Sequence, residues 1–238
     1  MRLRNLDALL AELLSEGYRQ LGEVAILPAA EIKPPLSEDG TPYPVAEGFY
    51  LCHYQDGEGL VRGEHVIFER HYDRPEQALE IYRHDDRGDF RPLRTAPTLR
   101  HGWLLALPDI SDVRQALDFF YPAALGMFGG LRTNNLPSVN VLDTMRRQTG
   151  MYQVVRAMTP EQADELTGGS CLSHGGCIRT ILWKIDKDMP ARRLPPEKFD
   201  PGVPQMQTSL KCLPVLCCEI CNLLVAQGRR LMKGKLQG

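Results

Sequence analysis

Leu3, Leu6, Leu10, Leu13 and Leu14 recur at helical spacing, which predicts an opening amphipathic helix that ends near Gly17. A proline-rich loop follows from Pro28 to Pro44. Beyond it the pattern turns β-like. Gly48 to Tyr54 and Glu64 to Tyr72 read as strands separated by Asp56-Gly57-Glu58-Gly59, a hairpin-type breaker. Ala78 to His84 and Phe90 to Thr95 read as a second pair around Asp85-Asp86-Arg87-Gly88, although Pro75 and Gln77 also suit a short helical turn before Ile81. The expectation for this half is a small antiparallel sheet.

Trp103 to Leu107 is a further strand-like run. Ile110, Val113, Leu117 and Phe120 mark a helix with Ser111 or Asp109 as its cap and Pro122 near its end. Gly126 to Pro137 reads as irregular and Val139 to Arg147 as helical. Thr159-Pro160-Glu161-Gln162 has the makings of a helix start, with Thr as N-cap, Pro at the first position and Gln completing a capping box. Gly168-Gly169 is the expected stop, immediately before Cys171. Pro190, Pro195, Pro196, Pro201, Pro204 and Pro214 exclude a long helix or a central strand between Asp188 and Pro214. Cys217 to Met232 is predicted as the last helix, with Ile220, Leu223, Leu224 and Leu231 on one face and Arg229, Arg230 and Lys233 near its C-terminal dipole. There is no internal repeat. The fold class is therefore α+β: a small antiparallel sheet domain over residues 1–100, then a mostly helical or irregular cysteine-rich domain over residues 101–238, divided near Pro97 to Gly102.

Composition narrows the function classes. The 238 residues are 43% hydrophobic and 24% charged, as in an ordinary globular protein and unlike a disordered chain, fibre or coiled coil. No run approaches the roughly 18 to 20 apolar residues of a membrane span. A net charge of −2, from 28 basic and 30 acidic residues, speaks against a nucleic-acid partner. Asp7 and Glu12 interrupt the first fifteen residues, where no signal-peptide pattern is visible; a cytoplasmic location is expected.

The seven cysteines change this picture. Cys52 stands alone, whereas Cys171, Cys177, Cys212, Cys217, Cys218 and Cys221 all follow position 170. In a reducing compartment such clustering suggests metal or redox chemistry more than disulfides, and an odd count fits a fully paired framework poorly. Cys171 and Cys177 enclose Leu-Ser-His-Gly-Gly, whose glycines let main chain approach a bulky ligand. Cys217 and Cys221 would stack on one face of the predicted helix. Closing the intervening loop costs only about 3 kcal/mol, little against multidentate coordination.

Four thiolates suit an iron–sulfur cluster. Its negative charge would favour a helix N-terminus and the cations Arg179 and Lys184. The spacing is neither a ferredoxin run nor the C-x2-C doublet of structural zinc sites. Cys218 and Cys221 nonetheless form a literal C-x2-C, Cys212 is a further thiol, and His174 could donate an imidazole. A zinc site, a dithiol switch and plain core burial stay open on these residues alone. Cys52 reads as a small buried hydrophobe. His65 and His71 read as surface or partly buried strand residues, and Arg146 and Arg147 as a solvated helix end. No phosphate loop, nucleophile elbow or zinc-protease helix is present.

Three segments carry a resemblance: Arg147-Gln148-Thr149-Gly150-Met151-Tyr152, Gly176-Cys177-Ile178-Arg179-Thr180-Ile181-Leu182-Trp183, and Pro214-Val215-Leu216-Cys217-Cys218-Glu219-Ile220-Cys221. They resemble the iron–sulfur region, with its accompanying stabilising domain, of bacterial sirohydrochlorin cobaltochelatase-like proteins of tetrapyrrole metabolism. The family's last motif, P-x-P-C-P-E-x-C, selects Cys217 and Cys221, with Cys218 where proline is usual; the upstream motif selects Cys171 and Cys177. The resemblance implies a [4Fe-4S] cluster on these four cysteines and a chelatase or electron-transfer partner. No chelatase segment with its own βαβ units is seen, so chelatase activity is not carried over to this polypeptide. The leading expectation is a redox or structural accessory module. The alternatives are a tetrapyrrole-acting enzyme with a pocket lined by His65, His71 or Arg146, and a structural zinc domain.

Overall fold

The computed structural model describes residues 5–43, 48–84, 99–136, 139–171, 179–185, 209–218 and 220–236. In chain order the elements are α1 (Leu6–Ser15), β1 (Tyr18–Leu21), β2 (Val24–Pro28), β3 (Leu36–Ser37), β4 (Phe49–His53) and α2 (Tyr54–Val61). Then come β5 (Ile67–Phe68), β6 (Arg70–Tyr72), α3 (Ala78–Tyr82), β7 (Trp103–Leu107), α4 (Ile110–Phe120) and α5 (Ala124–Arg132). The last are α6 (Val141–Arg146), a 3-10 stretch (Gly150–Ala157), α7 (Pro160–Cys171), β8 (Thr180–Ile181), β9 (Lys211–Leu213), β10 (Leu216–Cys217) and α8 (Asn222–Leu236). They form two compact units: Met1–Gly129 with Asp200–Val215, and Gly130–Phe199 with Leu216–Gly238.

The first unit is built on a six-stranded sheet in the order β6-β7-β4-β2-β1-β9. Its centre is antiparallel, β1 with β2, β2 with β4 and β4 with β7. Both edges are parallel, β6 with β7 and β9 with β1. The sheet is thus mixed and larger than the small antiparallel one expected, because its outer strands do not come from hairpins. β6 reaches β7 through a crossover, and β9 arrives from far along the sequence. The edge is where a proline-rich approach is tolerated. Lys211 anchors this strand, with Nζ 4.1 Å from the Tyr18 ring centroid and donating to the Glu16 carbonyl at 3.0 Å.

Local chemistry explains the elements that were legible. Asn5 Oδ1 accepts the Asp7 and Ala8 amides and starts α1, whose Leu9, Leu10, Leu13 and Leu14 are buried. Asp109 Oδ1 accepts the Ser111 and Asp112 amides at 2.8 and 3.0 Å, so Asp109 is the cap of α4. Gly22, at φ +57°, turns β1 into β2, and a Cβ there would lie 2.5 Å from the Tyr121 ring. Only glycine meets both demands.

Three expectations fail. Asp56-Gly57-Glu58-Gly59 is not a hairpin turn; it lies within α2. Its glycines serve close packing: a Cβ at Gly57 would sit 2.5 Å from Ala25 Cβ on β2 and 3.4 Å from Cys52 Sγ on β4. Ala78 to His84 is not a strand. Gln77 Oε1 accepts the Asp73 and Arg74 amides at 3.0 and 2.9 Å, and α3 then buries Ala78, Ile81 and Tyr82 at helical spacing. Phe90 to Thr95, its proposed partner, lies outside the described residues. Nor is Gly126 to Pro137 irregular throughout, since α5 buries Leu125 and Phe128 and brings Gly129 against Leu9. The expected division near residues 97–102 adjoins segment 85–98, also outside the described residues. The compact unit itself runs on to Gly129, because β7 pairs with β4 and β6 inside the sheet.

The second unit gathers α6, α7 and α8 with a two-stranded sheet of β8 and β10. Its core holds Val141, Met145, Val155, Ala163, Leu166, Ile181, Trp183, Leu224 and Val225. Gly228 lets α8 approach closely, since a Cβ there would lie 3.0 Å from Met158 Cε and 3.2 Å from Leu166 Cδ2. No described helix is long and apolar enough to cross a membrane.

Candidate metal centre

Cys171, Cys217 and Cys221 sit at the ends of elements of the second unit. The first is delivered by α7. Thr159 Oγ1 accepts the Gln162 amide at 3.3 Å while Gln162 Oε1 accepts the Thr159 amide at 3.0 Å, the reciprocal capping box that the sequence predicts. The helix does not stop at Gly168-Gly169 but runs to Cys171, which is half-buried against the second unit's core. Cys177 and His174 lie outside the described residues.

Arg179 lies two residues past Cys177 in the sequence, and the strand it leads into pairs with the second cysteine stretch. β8 and β10 run parallel, Thr180 beside Leu216 and Ile181 beside Cys217. Arg179 Nη1 donates to the Leu216 carbonyl at 3.2 Å, and the Leu182 amide donates to the Cys217 carbonyl at 2.8 Å. The sequence's helix from Cys217 is therefore corrected. Cys217 is a strand residue, half-buried against the core, and α8 begins only at Asn222. The parallel pairing claims the backbone that the helix would have used.

Cys221 stands at the start of α8. Its carbonyl accepts the Val225 amide at 3.2 Å, and its Sγ accepts the Leu224 amide at 3.4 Å. A cysteine thus occupies the place usual for Ser, Thr, Asp or Asn. The unpaired amides and positive dipole end of a fifteen-residue helix favour negative charge here, the charge that a thiolate-ligated cluster brings. Cys218 is half-buried between Cys217 and Cys221.

The remaining thiols belong to the first unit. Cys52 is fully buried on β4, and burial, reinforced by Asp56, pushes its thiol well up. Cys212 is on β9. Burial pushes it up to about 12 against a smaller opposing contact from the Gly22 backbone, and its Sγ donates to the Leu213 carbonyl at 3.3 Å. A protonated donor is not a thiolate ligand.

Among the described residues no disulfide joins the cysteines, and no three thiols lie within 4.8 Å of one another. In a four-iron cube each thiolate binds a different iron, so its ligands stand further apart than those of one zinc ion. The donor set fits such a group: soft sulfur on a helix end and a strand that share one core, and on an exposed helix N-cap. Trp183, buried in that core, carries an indole N–H without a partner among the described residues.

The other residues weighed from sequence have ordinary surroundings. His65 is exposed. His71 stacks on Tyr43, ring centroids 4.4 Å apart. Arg146 is exposed and pairs with Asp143 at 3.4 Å. Sequence reasoning missed a different group, His53, Asp56 and His101, whose ligand atoms all lie within 4.8 Å of one another. The spacing His53-x-x-Asp56 was the available signal; the third member comes from a distant segment.

Two family models match the chain. Residues 46–127 match the DR2241 stabilising domain, and residues 133–230 match a 4Fe-4S iron-sulfur cluster binding domain. The chain is also similar to the crystal structure of DR2241 from Deinococcus radiodurans, with a TM-score of 0.67 and 25% sequence identity. That protein is described as multi-domain, with structural similarity to chelatases and two additional novel domains. The match covers 96% of this chain but 41% of DR2241, so the chain spans less than half of that relative. No curated protein matches it.

Proposed function

We propose that Cys171, Cys177, Cys217 and Cys221 hold a [4Fe-4S] cluster, since the chain matches a DR2241 stabilising domain followed by a 4Fe-4S cluster binding domain. The observation that carries this ligand set is the pairing of β8 with β10. It fixes the chain that follows Cys177 against the strand of Cys217, while the end of α7 packs Cys171 on the same core as Cys217 and Cys221 caps the start of α8 four residues further along the chain. A bound cluster supplies one-electron chemistry or a structural staple. The chain's own residues supply burial on the core side and amide donors at the start of α8.

The proposed role is an accessory redox or structural module, working in a reducing cytoplasm beside a chelatase-type or electron-transfer partner of tetrapyrrole metabolism. The support for that partner is the likeness to DR2241, itself chelatase-like. Chelation is not assigned to this polypeptide.

Oxygen-free purification followed by iron, sulfide and zinc analysis tests the reading. About four irons and four sulfides per chain are expected. Stoichiometric zinc, or no iron after reconstitution, overturns it. An EPR signal on reduction identifies the redox role, and a cluster that resists reduction but whose removal unfolds the second unit identifies the structural one.

A further inference from the structure

The geometry points to a metal site in the first unit, where His53, Asp56 and His101 bind one divalent first-row transition-metal ion. The three residues converge because β4 and β7 are antiparallel neighbours, Cys52 beside Leu104. The end of β4, the first turn of α2 and the approach to β7 therefore meet at one end of the sheet. All ligand atoms lie within 4.8 Å of one another.

Each ligand is held in place. The Tyr54 amide, between His53 and Asp56, donates to the Glu23 carbonyl at 2.9 Å. The carboxylate of Glu23, itself buried, accepts the Leu99 amide and pins the segment that leads to His101. Asp56 Oδ2 accepts the Gly102 amide at 3.0 Å, leaving Oδ1 turned to His101 Nδ1 at 3.3 Å. A second-shell amide of this kind commonly orients a metal-binding carboxylate.

A hydrogen-bonded Asp–His pair would need no third member. Yet the buried ring of His53 lies against His101, centroids 3.8 Å apart, and its Nδ1 has only a long 3.4 Å contact from the Gln55 amide. Two imidazole nitrogens and one carboxylate oxygen form a mixed donor set for a single cation. Imidazole selects zinc, iron, cobalt, nickel or copper over magnesium and calcium. His101 is half-exposed, so ions can enter from its side and coordination positions stay open there.

Cobalt(II) titration of the untagged, cluster-loaded chain tests this. One cobalt per chain is expected, with ligand-field bands of nitrogen and oxygen ligation and no thiolate-to-cobalt charge-transfer band. His101→Ala and Asp56→Asn should each weaken binding at least about tenfold, the lower end of what losing even an outer-shell partner costs. His65→Ala, an exposed histidine of the same unit, should not. Unchanged affinity in His101→Ala, a thiolate spectrum, or no uptake by the parent chain overturns the site. His101 is at the surface, so its variant decides the matter even if Asp56→Asn misfolds. The absorbance of the iron–sulfur cluster reports separately on the cysteine reading.

Discussion

Replacing Gly57 by alanine sets two effects of known sign against each other. In a helix interior Gly→Ala stabilises by about 1 kcal/mol. At Gly57 the new Cβ would lie 2.5 Å from Ala25 Cβ, whereas carbon atoms pack best at about 3.5–4.0 Å. Ala25 is fully buried on β2, between β1 and β4, so α2 must lift off the sheet by about 1 Å. Overpacking of this kind costs about 1–3 kcal/mol. The net expectation is a loss of up to about 2 kcal/mol, or up to about 8 °C in melting temperature for a chain of this size. Gly126→Ala is the matched control, since it is also helical but has nothing within 4 Å of the new Cβ. It should stabilise by about 0.5–1 kcal/mol. Thermal unfolding followed by circular dichroism measures both. Adding Ala25→Gly removes the clashing atom and should recover a coupling of about 1–2 kcal/mol in a double-mutant cycle. If Gly57→Ala raises the melting temperature as Gly126→Ala does, α2 does not press on the sheet as described. Lifting α2 also moves Asp56, so Gly57→Ala should weaken cobalt binding, read in the same titration.

Other outcomes follow from the same structure. Cys171→Ser, Cys177→Ser, Cys217→Ser and Cys221→Ser should each abolish or strongly reduce iron and sulfide content, whereas Cys212→Ser should leave it unchanged; a normal iron count in any of the first four removes that residue from the ligand set. Cys212, held at about 12 against an ordinary 9.0, should react with iodoacetamide at pH 8 about a thousandfold more slowly in the folded chain than in urea, and equal rates by peptide mapping contradict its burial. The folded chain keeps a proton there that the unfolded chain gives up at about 9, so stability should fall as pH rises from about 9 towards 12, and Cys212→Ser should flatten that decline in urea titrations. Thr159→Ala removes half of the capping box and should cost about 1 kcal/mol in the chemical unfolding of the second unit; no change would mean that the box does not hold α7.

Elements specified by nearby residues could be read from the sequence. The leucines of α1, the Asp109 cap and the Thr159–Gln162 box each act over one or two turns of chain. Elements decided by distant contacts could not. Asp56-Gly57-Glu58-Gly59 has the chemistry of a turn, and only the sheet beneath it makes those glycines a packing surface. Cys217 has helical spacing to Cys221, but β8 claims its backbone for a strand. The cysteine stretches stood out because thiols are rare and clustered, whereas the role of Cys212 depended on its place beside β1 in a different unit. His53 and His101 gave no pattern along the chain, since only the pairing of β4 with β7 makes them neighbours.

β9 carries a consequence for how this protein is born. The edge of β1 has no partner until Lys211–Leu213 has left the ribosome, and an uncovered edge strand invites pairing with other chains. The first unit, although mostly encoded early, finishes its sheet only as Cys217 and Cys221 emerge. Closure of the sheet is thus delayed until the last cysteine stretch is made, and a fragment truncated at Gly129 should aggregate until Lys211–Leu213 is supplied to it.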